Sequence, residues 1–119
     1  MTEITEINRI YQMDCLAGLK KMGDNSVDVI VTSPPYNIGI QYNTYEDKKS
    51  EQEYLKWLHD IATECKRVMK GDGSFFLNIG GTLKNPWIPM KVALALEDLF
   101  ILQNMIHWIK SIAIPGEQV

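Results

Sequence analysis

Apolar side chains recur at helical spacing from Tyr54 to Met69, which is the longest regular pattern in the chain. Residues three or four apart share one face of a helix, so this spacing predicts a long amphipathic helix. Ser50 and Glu53 precede it as a capping box, in which each side chain accepts a hydrogen bond from the other residue's backbone N–H. Lys70-Gly71 predicts the helix end, with Gly71 in the left-handed conformation.

Two shorter helices and four strands complete the predicted pattern. Residues 14–22 carry a three-residue apolar spacing, and the carboxylate of Asp14 can cap their first turn by accepting from backbone N–H groups. Residues 86–99 begin with prolines, which fit the first turn of a helix because the N–H groups there have no partner. Apolar runs predict strands at residues 8–13, 27–32, 74–79 and 100–110, and we expect the strand at 27–32 to be covered on both faces.

The predicted strands alternate with helices along the chain. Such alternation predicts an α/β fold, in which helices cover a doubly wound sheet of mostly parallel strands. Sheets of this kind bind ligands at the carboxyl ends of their strands. The long polar loop at residues 33–49 leaves the carboxyl end of the strand at 27–32, so we expect a functional site there.

Composition narrows the class of protein without identifying a partner. A chain of 119 residues forms one domain at most, and an apolar fraction of 45% is ordinary for a globular protein. The formal net charge of −3 gives no indication of nucleic-acid binding, which usually requires a basic face. Cys15 and Cys65 are too few for a disulfide framework or a zinc site, so we expect no metal and interpret both as reduced core residues of a cytoplasmic protein. No apolar run is long enough to cross a membrane.

The loop begins with Ser33-Pro34-Pro35-Tyr36, and these residues suit one difficult reaction. The exocyclic amino group of cytosine or adenine is a poor nucleophile because its lone pair is delocalised into the ring. Two fixed hydrogen-bond acceptors can orient the amino group and draw the lone pair out of conjugation. The Ser33 hydroxyl and the Pro34 carbonyl can be these acceptors, and two successive prolines stiffen the backbone that carries them. Tyr36 offers an aromatic face to a base taken out of the duplex stack.

The same four residues could also be no more than a rigid turn. For an isolated Pro-Pro pair we would prefer that interpretation. Here the motif directly follows an apolar strand and opens a long aromatic-rich loop, and this context favours the functional interpretation. Four side chains farther along the loop could contact DNA, although we prefer to interpret them as part of a solvated loop. They are Tyr42, Tyr45, Lys48 and Lys49.

An ordered set of motifs along nearly the whole chain resembles the N-terminal half of the N4-cytosine and N6-adenine DNA methyltransferases of the β arrangement. In that arrangement the catalytic motif precedes the cofactor motif. The resemblance implies a Rossmann-like methyltransferase fold, S-adenosylmethionine as the cofactor and double-stranded DNA as the partner. The segments that carry it are Met13-Asp14-Cys15-Leu16, residues 24–28, residues 32–37, residues 75–80 and His107-Trp108-Ile109-Lys110.

The resemblance also implies roles for individual residues. Ser33-Pro34-Pro35 would hold the target amino group, and Tyr36 would stack on the flipped base. Asp14 and Ser33 would lie beside the cofactor, although the capping rule alone explains Asp14 equally well. Asn37 would help to form the base-binding loop, and a plain turn role fits its position as well.

Two parts of the family pattern do not occur within residues 1–119. In this arrangement a Phe-x-Gly-x-Gly cofactor motif follows the target-recognition region, and the sequence contains neither. Gly71-x-Gly73 precedes a predicted strand, which suits a helix end better than a cofactor loop, and Gly80-Gly81 lacks a third glycine. We therefore interpret residues 1–119 as the catalytic-motif half of an incomplete methyltransferase domain. We expect a complementary chain that carries the cofactor motif, or a homo-oligomer.

Several functional alternatives stay open from the sequence. The target could be cytosine N4, for which Ser33 is typical, or adenine N6. The chain could methylate RNA or a protein glutamine, although such relatives more often carry Asn or Asp before Pro-Pro-Tyr. It could also be an inactive remnant or a split-enzyme subunit that binds DNA or a partner without turnover.

Overall fold

The computed structural model describes residues 4, 6–37, 39, 42 and 47–110. Helices and strands alternate along these residues, so the predicted α/β class is confirmed. Residues 111–119 and Tyr45 lie outside the described residues. No helix in the described ranges is both long enough and apolar enough to span a membrane. The elements are helix α1 (Cys15–Lys20), strand β1 (Val27–Thr32), helix α2 (Glu51–Val68), strand β2 (Met69–Leu77) and helix α3 (Ile88–Ala95).

Strands β1 and β2 pair in parallel, and helix α2 forms the crossover between them. Thr32 pairs with Leu77, and the Asn78 N–H extends the pairing by donating to the Thr32 carbonyl at 2.9 Å. Both strands therefore end at the same edge of the sheet, where folds of this kind place their ligands. The parallel arrangement predicted from the sequence is confirmed for these two strands.

The predicted strands at residues 8–13 and 100–110 are wrong. Neither segment pairs with β1 or β2, and nearly all of their side chains are exposed. A strand needs a neighbour for its backbone N–H and C=O groups, and an apolar pattern alone cannot supply one. The sheet formed by the described residues therefore has two strands.

The core lies between one face of this sheet and the two longer helices. Phe75 and Leu77 of β2 pack against the buried cluster from the sheet side. The opposite face carries Val29, Val31 and Phe76, which are 53%, 75% and 50% exposed. The expectation that β1 is covered on both faces is therefore wrong. The buried apolar cluster contributed by α2, α3 and the turn after it contains Tyr54, Leu58, Ala62, Ile88, Val92 and Leu96.

The predicted cap of α1 is present, and the described residues show one of the two hydrogen bonds of the capping box predicted for α2. The Asp14 carboxylate accepts from the Ala17 N–H at 3.0 Å, and the Ser50 hydroxyl oxygen accepts from the Glu53 N–H at 3.2 Å. Each bond satisfies an N–H group that has no partner within its helix. Asp14 is thus an N-cap, as the capping rule predicts.

The end of α2 differs from the prediction. Met69 leaves the helix in an extended conformation and starts β2 directly, so Gly71 supplies no left-handed turn. Gly71 and Gly73 lie instead where the register between β1 and β2 shifts. A Cβ on Gly73 would come within 2.9 Å of the Asp28 carbonyl oxygen, so the close approach of the two backbones requires glycine there.

The two cysteines lie in different surroundings. Cys65 is buried on α2, and this burial raises the pKa of its thiol to about 11, so the thiol stays protonated and unreactive at neutral pH. Cys15 is exposed, so its interpretation as a core residue is wrong. The short helix α1 buries Gly18 and leaves its first residue at the surface.

Arg67 joins the end of α1 to helix α2. Its guanidinium group donates to the carbonyl oxygens of Leu19 at 2.8 Å and Met22 at 3.0 Å. It also donates to Asp24 at 2.6 Å and Glu64 at 2.5 Å, and these two hydrogen bonds raise the pKa of Arg67. The rigid fork of a guanidinium group suits four acceptors in different directions, which the single ammonium group of lysine does not.

The carboxyl groups of Glu51, at the start of α2, and Asp98, in the turn after α3, have lowered pKa values. The Lys91 ammonium group donates to Glu51 at 3.0 Å, and this hydrogen bond is the main cause of the lowered pKa of Glu51. The hydrogen bond from His59 lowers the pKa of Asp98 in the same way. A carboxyl group whose pKa is lower in the folded state stabilises the fold above its unfolded pKa. That stabilisation is lost as the pH falls through the folded value.

Replacing Glu51 should therefore reduce stability at neutral pH and have no effect in strong acid. Because the Glu51–Lys91 pair is solvent-exposed, we expect Glu51→Gln to lower Tm at pH 7 by no more than about 3 °C. The difference from the unchanged chain should shrink as the pH falls below about 4.5, the ordinary value for this carboxyl. Thermal unfolding followed by circular dichroism at a series of pH values measures this. Glu53→Gln, in the same turn, is the control, and an equal effect of both variants at pH 7 would contradict the pairing.

Truncating a core residue of α3 should destabilise the chain far more than truncating an exposed one. Val92 is fully buried, so Val92→Ala should lower the free energy of unfolding by about 2 kcal/mol. Leu94 lies on the same helix but is 64% exposed, so Leu94→Ala should change it by less than about 0.5 kcal/mol. Urea unfolding of the 119-residue chain gives both values, and similar losses for the two variants would contradict this placement of the core.

Candidate active site at the carboxyl edge of the sheet

Two polar segments meet where β1 and β2 end. Ser33-Pro34-Pro35-Tyr36 leaves β1, and Asn78 and Gly80 follow β2. The Ser33 side chain is exposed, and Tyr36 is half-buried. The motif therefore lies at the rim of the sheet and outside the packed core, where a large ligand can reach it.

Ser33, Tyr36 and Asn78 form a hydrogen-bonded cluster. The hydroxyl oxygens of Ser33 and Tyr36 are 3.1 Å apart. The Asn78 side-chain nitrogen donates to the Tyr36 hydroxyl at 3.1 Å and to the Ser33 hydroxyl at 3.4 Å. A serine hydroxyl has one hydrogen and two lone pairs. These two contacts leave Ser33 with the capacity for one further partner.

The carbonyl groups of the two prolines have different surroundings. The hydroxyl of the buried Tyr54 donates to the Pro35 carbonyl. The Pro34 carbonyl accepts no hydrogen bond from any residue that the structure describes. Because the proline rings fix φ on both residues, the Pro34 carbonyl has a restricted direction while its oxygen stays free to accept.

Asn37 closes the base of the loop. Its φ of 62° lies in the left-handed region, which asparagine tolerates better than most residues. Its side-chain amide donates to the Lys49 carbonyl and accepts from the Lys49 N–H, both at 2.7 Å. Its own N–H donates at 3.0 Å to the carboxylate of Asp47, which is only 3% exposed. The Asn37 side chain thus joins the two ends of the loop, and its contact with a base stays a prediction.

A cleft of about 560 Å³ opens beside Tyr36. Its volume lies in the range of small-molecule binding sites. Lys48 and Lys84 line this cleft, and neither forms an ion pair with a residue of the described ranges. Lys49 is placed differently, with its ammonium group 5.8 Å from the centre of the Trp57 ring. Of the loop cations, Lys48 is therefore the one that faces the cleft.

A second cavity, of about 430 Å³, borders the same motif. Ser33-Pro34-Pro35 lines part of it, together with Cys15, Trp57 and apolar residues of β1, α2 and β2. Asp14 is the residue before Cys15, and its exposed carboxylate is the N-cap of α1. The structure thus shows the capping role of Asp14, and its role beside a cofactor stays a prediction.

The sequence pattern alone indicates no role for Asn78, Gly80 or Tyr54. Asn78 was placed inside the predicted strand at residues 74–79, whereas β2 ends at Leu77 and leaves Asn78 at the rim. Their position could have indicated Asn78 and Gly80, because Asn78 lies near the end of that predicted strand and Gly80 follows it. Residues at the carboxyl ends of neighbouring parallel strands lie close together at the ligand-binding edge of a sheet. Tyr54 fits the apolar pattern of α2, and that pattern does not reveal the partner of its hydroxyl.

Removing the Tyr54 hydroxyl should loosen the motif without emptying the core. Tyr54→Phe leaves the Pro35 carbonyl without its donor, and the loss of one such bond should lower the free energy of unfolding by about 1–2 kcal/mol. Tyr11→Phe is the matched control, because within the described residues the hydroxyl of the exposed Tyr11 has no hydrogen bond shorter than its 3.5 Å contact with the Glu6 carbonyl. Urea unfolding of both variants tests this, and an equal effect would show that the Tyr54–Pro35 bond contributes nothing.

Three relatives are similar to this chain over 62%, 87% and 71% of its length. It is 46% identical over 74 residues to the Type II methyltransferase M.BglII of Bacillus subtilis, which is 62% of this chain and 20% of that protein. It is 34% identical over 103 residues to the DNA adenine methyltransferase YhdJ of Escherichia coli K12, which is 87% of this chain and 33% of that protein. It is 38% identical over 90 residues to the Type II methyltransferase M.MjaVI of Methanocaldococcus jannaschii, or 71% of this chain and 46% of that protein.

The chain therefore spans between a fifth and about half of the length of these relatives. Residues 27–118 match the DNA methylase family of N6 and N4 methyltransferases. The match contains β1, the Ser33-Pro34-Pro35-Tyr36 motif, α2, β2 and α3. The resemblance inferred from the sequence motifs is confirmed, and the methyl donor in this family is S-adenosylmethionine. The chain belongs to the N6/N4 DNA methylase family, of which it represents an N-terminal portion.

Proposed function

We propose that this chain supplies the target-amino site of a DNA methyltransferase, which moves a methyl group from S-adenosylmethionine to cytosine N4 or adenine N6 of a flipped base. One observation carries the proposal. The Pro34 carbonyl accepts no hydrogen bond from the described residues, and Pro34 directly follows Ser33, whose side chain is exposed at the carboxyl edge of a parallel sheet. Two oxygen acceptors with capacity to spare are what an exocyclic amino group requires.

The two acceptors act on the two hydrogens of the amino group. When one hydrogen is held by the Pro34 carbonyl and the other by the Ser33 hydroxyl oxygen, the nitrogen is turned so that its lone pair can leave the plane of the base. That lone pair can then attack the methyl group that bound S-adenosylmethionine would supply. The carbon–sulfur bond would break as the nitrogen–carbon bond forms, and one of the two amino hydrogens would leave as a proton. The gain comes from fixed direction, because the acceptors do not have to reorganise during the reaction.

Tyr36 is suited to hold the base itself. Its ring lines the cleft, and its hydroxyl is anchored by Ser33 and Asn78. A base that leaves the duplex loses stacking, and an aromatic side chain replaces part of that loss. Lys48 and Lys84 on the same cleft can meet the phosphates that flank the base. A local pair of cations suffices for this, although the net charge of the chain is −3.

The residues that line the second cavity, and the nearby Asp14, fit part of the cofactor. The second cavity has apolar walls, as an adenine ring requires, and the Ser33 hydroxyl lies at its border. The exposed Asp14 carboxylate is an acceptor for hydroxyl or amino groups, since its N-cap bond uses only one of its lone pairs. When bound, S-adenosylmethionine supplies an electrophilic methyl group. Asp14 and Ser33 would hold it from this chain, and we propose that a segment with a Phe-x-Gly-x-Gly motif, in the same or a companion chain, completes the site.

Adenine and cytosine remain two candidates for the target. The relative from Escherichia coli is by its name a DNA adenine methyltransferase, and its match covers 87% of this chain, which favours adenine N6. Ser33 before Pro-Pro-Tyr is typical of cytosine enzymes, which favours N4. Chromatography of nucleosides from the methylated DNA distinguishes N6-methyladenine from N4-methylcytosine.

Replacing Ser33 or Tyr36, the two ends of the motif, should abolish methyl transfer in the full-length protein, by which we mean residues 1–119 together with the proposed segment that completes the cofactor site. Ser33→Ala removes one acceptor and Tyr36→Ala removes the stacking ring, so each should lower the rate of transfer by at least about a hundredfold. Tritium transfer from labelled S-adenosylmethionine to unmethylated DNA of mixed sequence measures the rate, and circular dichroism verifies the fold. RNA and a protein extract are offered as competing substrates. Near-normal transfer to DNA by both variants, or transfer to RNA or protein instead, would contradict the proposal.

A further inference from the structure

Asn78 and Gly80 follow β2 and contact the motif that leaves β1. We propose that both are positioning residues for the amino-group site: Asn78 fixes the hydroxyls of Ser33 and Tyr36, and Gly80 gives the Tyr36 ring its place. The inference rests on the proposed function for its effect on methyl transfer. Its structural part can be tested without any enzymatic activity.

The Asn78 amide nitrogen carries two hydrogens and has two hydroxyl oxygens within reach. It lies 3.1 Å from the Tyr36 oxygen and 3.4 Å from the Ser33 oxygen. Each oxygen therefore receives one hydrogen from Asn78 and keeps its own. One hydrogen bond remains to be made between Ser33 and Tyr36, and either hydroxyl can donate it.

The direction of that last bond decides whether Ser33 can accept an amino group. If Tyr36 donates to Ser33, both serine lone pairs are filled and the serine can only donate. If Ser33 donates to Tyr36, the serine oxygen keeps one lone pair for the substrate, and the Tyr36 hydroxyl hydrogen is left free. The second arrangement is the productive one. Asn78 uses only one of the two lone pairs of the Tyr36 oxygen, so the other lone pair can accept the hydrogen bond from Ser33. The same bond from Asn78 holds the Tyr36 hydroxyl within reach of Ser33.

Gly80 sets the position of the Tyr36 ring. A Cβ on Gly80 would lie 3.1 Å from Cε2 and 3.4 Å from Cδ2 of that ring, which is closer than ordinary contact. The ring therefore rests against the Gly80 backbone, in the space that any other side chain would occupy. A side chain here would push the ring, and with it the hydroxyl that binds Asn78 and Ser33.

The strand pairing makes this support rigid. The Asn78 N–H donates to the carbonyl of Thr32, which is the residue directly before the motif. The backbone of Asn78 is therefore bonded to the strand that leads into Ser33 and Tyr36. Asn78 also directly follows Leu77, which pairs with Thr32 across the sheet. Side chains carried on paired strands hold a site more tightly than side chains on free loops.

The kinetic test uses the full-length protein and matched pairs of variants. Asn78→Ala removes the two donated hydrogens, and Asn78→Asp removes them while keeping the shape. Gly80→Ala adds one methyl group under the ring. We expect each to lower kcat by roughly tenfold to a hundredfold, with little change in KM for S-adenosylmethionine, because the site is displaced and the cofactor contacts are kept.

The controls make the same chemical changes elsewhere. Gln52→Ala removes an exposed side-chain amide from α2, and Gly71→Ala adds a methyl group where nothing lies within 4 Å. Both should keep kcat unchanged. Equal losses in Gly80→Ala and Gly71→Ala, or normal kcat in both Asn78 variants, would overturn the proposal. The Asn78→Ala and Tyr36→Phe changes should also be non-additive, since both break the same cluster.

A second measurement separates the failure of this inference from the failure of the proposed function. In the 119-residue chain labelled with ¹³C at tyrosine Cζ, the Tyr36 resonance is identified by its absence in Tyr36→Phe. It should shift in Asn78→Ala and in Gly80→Ala and stay unchanged in both control variants. If these shifts occur but the unaltered protein transfers no methyl group, the support stands and the function is wrong. If the resonance does not move, the support itself is wrong.

Discussion

The parallel pairing of β1 and β2 is the constraint on which the candidate site depends. Helix α2 returns the chain so that the two strands run in the same direction, and both therefore end at one edge. The hydrogen bond from the Asn78 N–H to the Thr32 carbonyl carries this pairing one step past the strands. Without it, the motif after β1 and the residues after β2 would be two separate loops. With it, they form one surface with side-chain contacts between them.

Hydrogen bonds of two further side chains, Tyr54 and Asn37, hold the motif and the base of its loop. The hydroxyl of the buried Tyr54 donates to the Pro35 carbonyl. At the base of the loop, the Asn37 side chain donates to the Lys49 carbonyl and accepts from the Lys49 N–H. Among the residues that the structure describes, none donates to the Pro34 carbonyl, and the Ser33 hydroxyl keeps the capacity for one further hydrogen bond. Two neighbouring prolines thus have different roles, one that anchors the motif and one that can accept from a ligand. The hydroxyl of Tyr54 thus connects the core of the protein to the motif.

Local patterns predicted those features that depend on neighbours in sequence. The apolar spacing of α2, the caps at Asp14 and Ser50, the strand at residues 27–32 and the motif after it follow from residues close together in the chain. The contacts of Asn78 and Gly80 with Tyr36 span more than 40 residues, and no periodicity encodes them. Gly73 shows the same limit, because its need for glycine arises from the approach of Asp28 on the other strand. Such residues become visible only when the strand pairing is known.

The wrong predictions of two strands and of a covered sheet face have a common physical cause. Residues 8–13 and 100–110 have the composition of strands, and Val29, Val31 and Phe76 have that of a covered sheet face, yet these side chains are largely exposed. A local pattern records what a segment is suited to contact, whereas a strand or a buried face also requires the contacting partner to be present. The motif does not share this dependence, because its hydrogen bonds are made with Asn78 after β2 and with Tyr54 of α2. The hydrogen-bonded motif is therefore formed beside the two-stranded sheet of the described residues, while the opposite apolar face of that sheet stays uncovered.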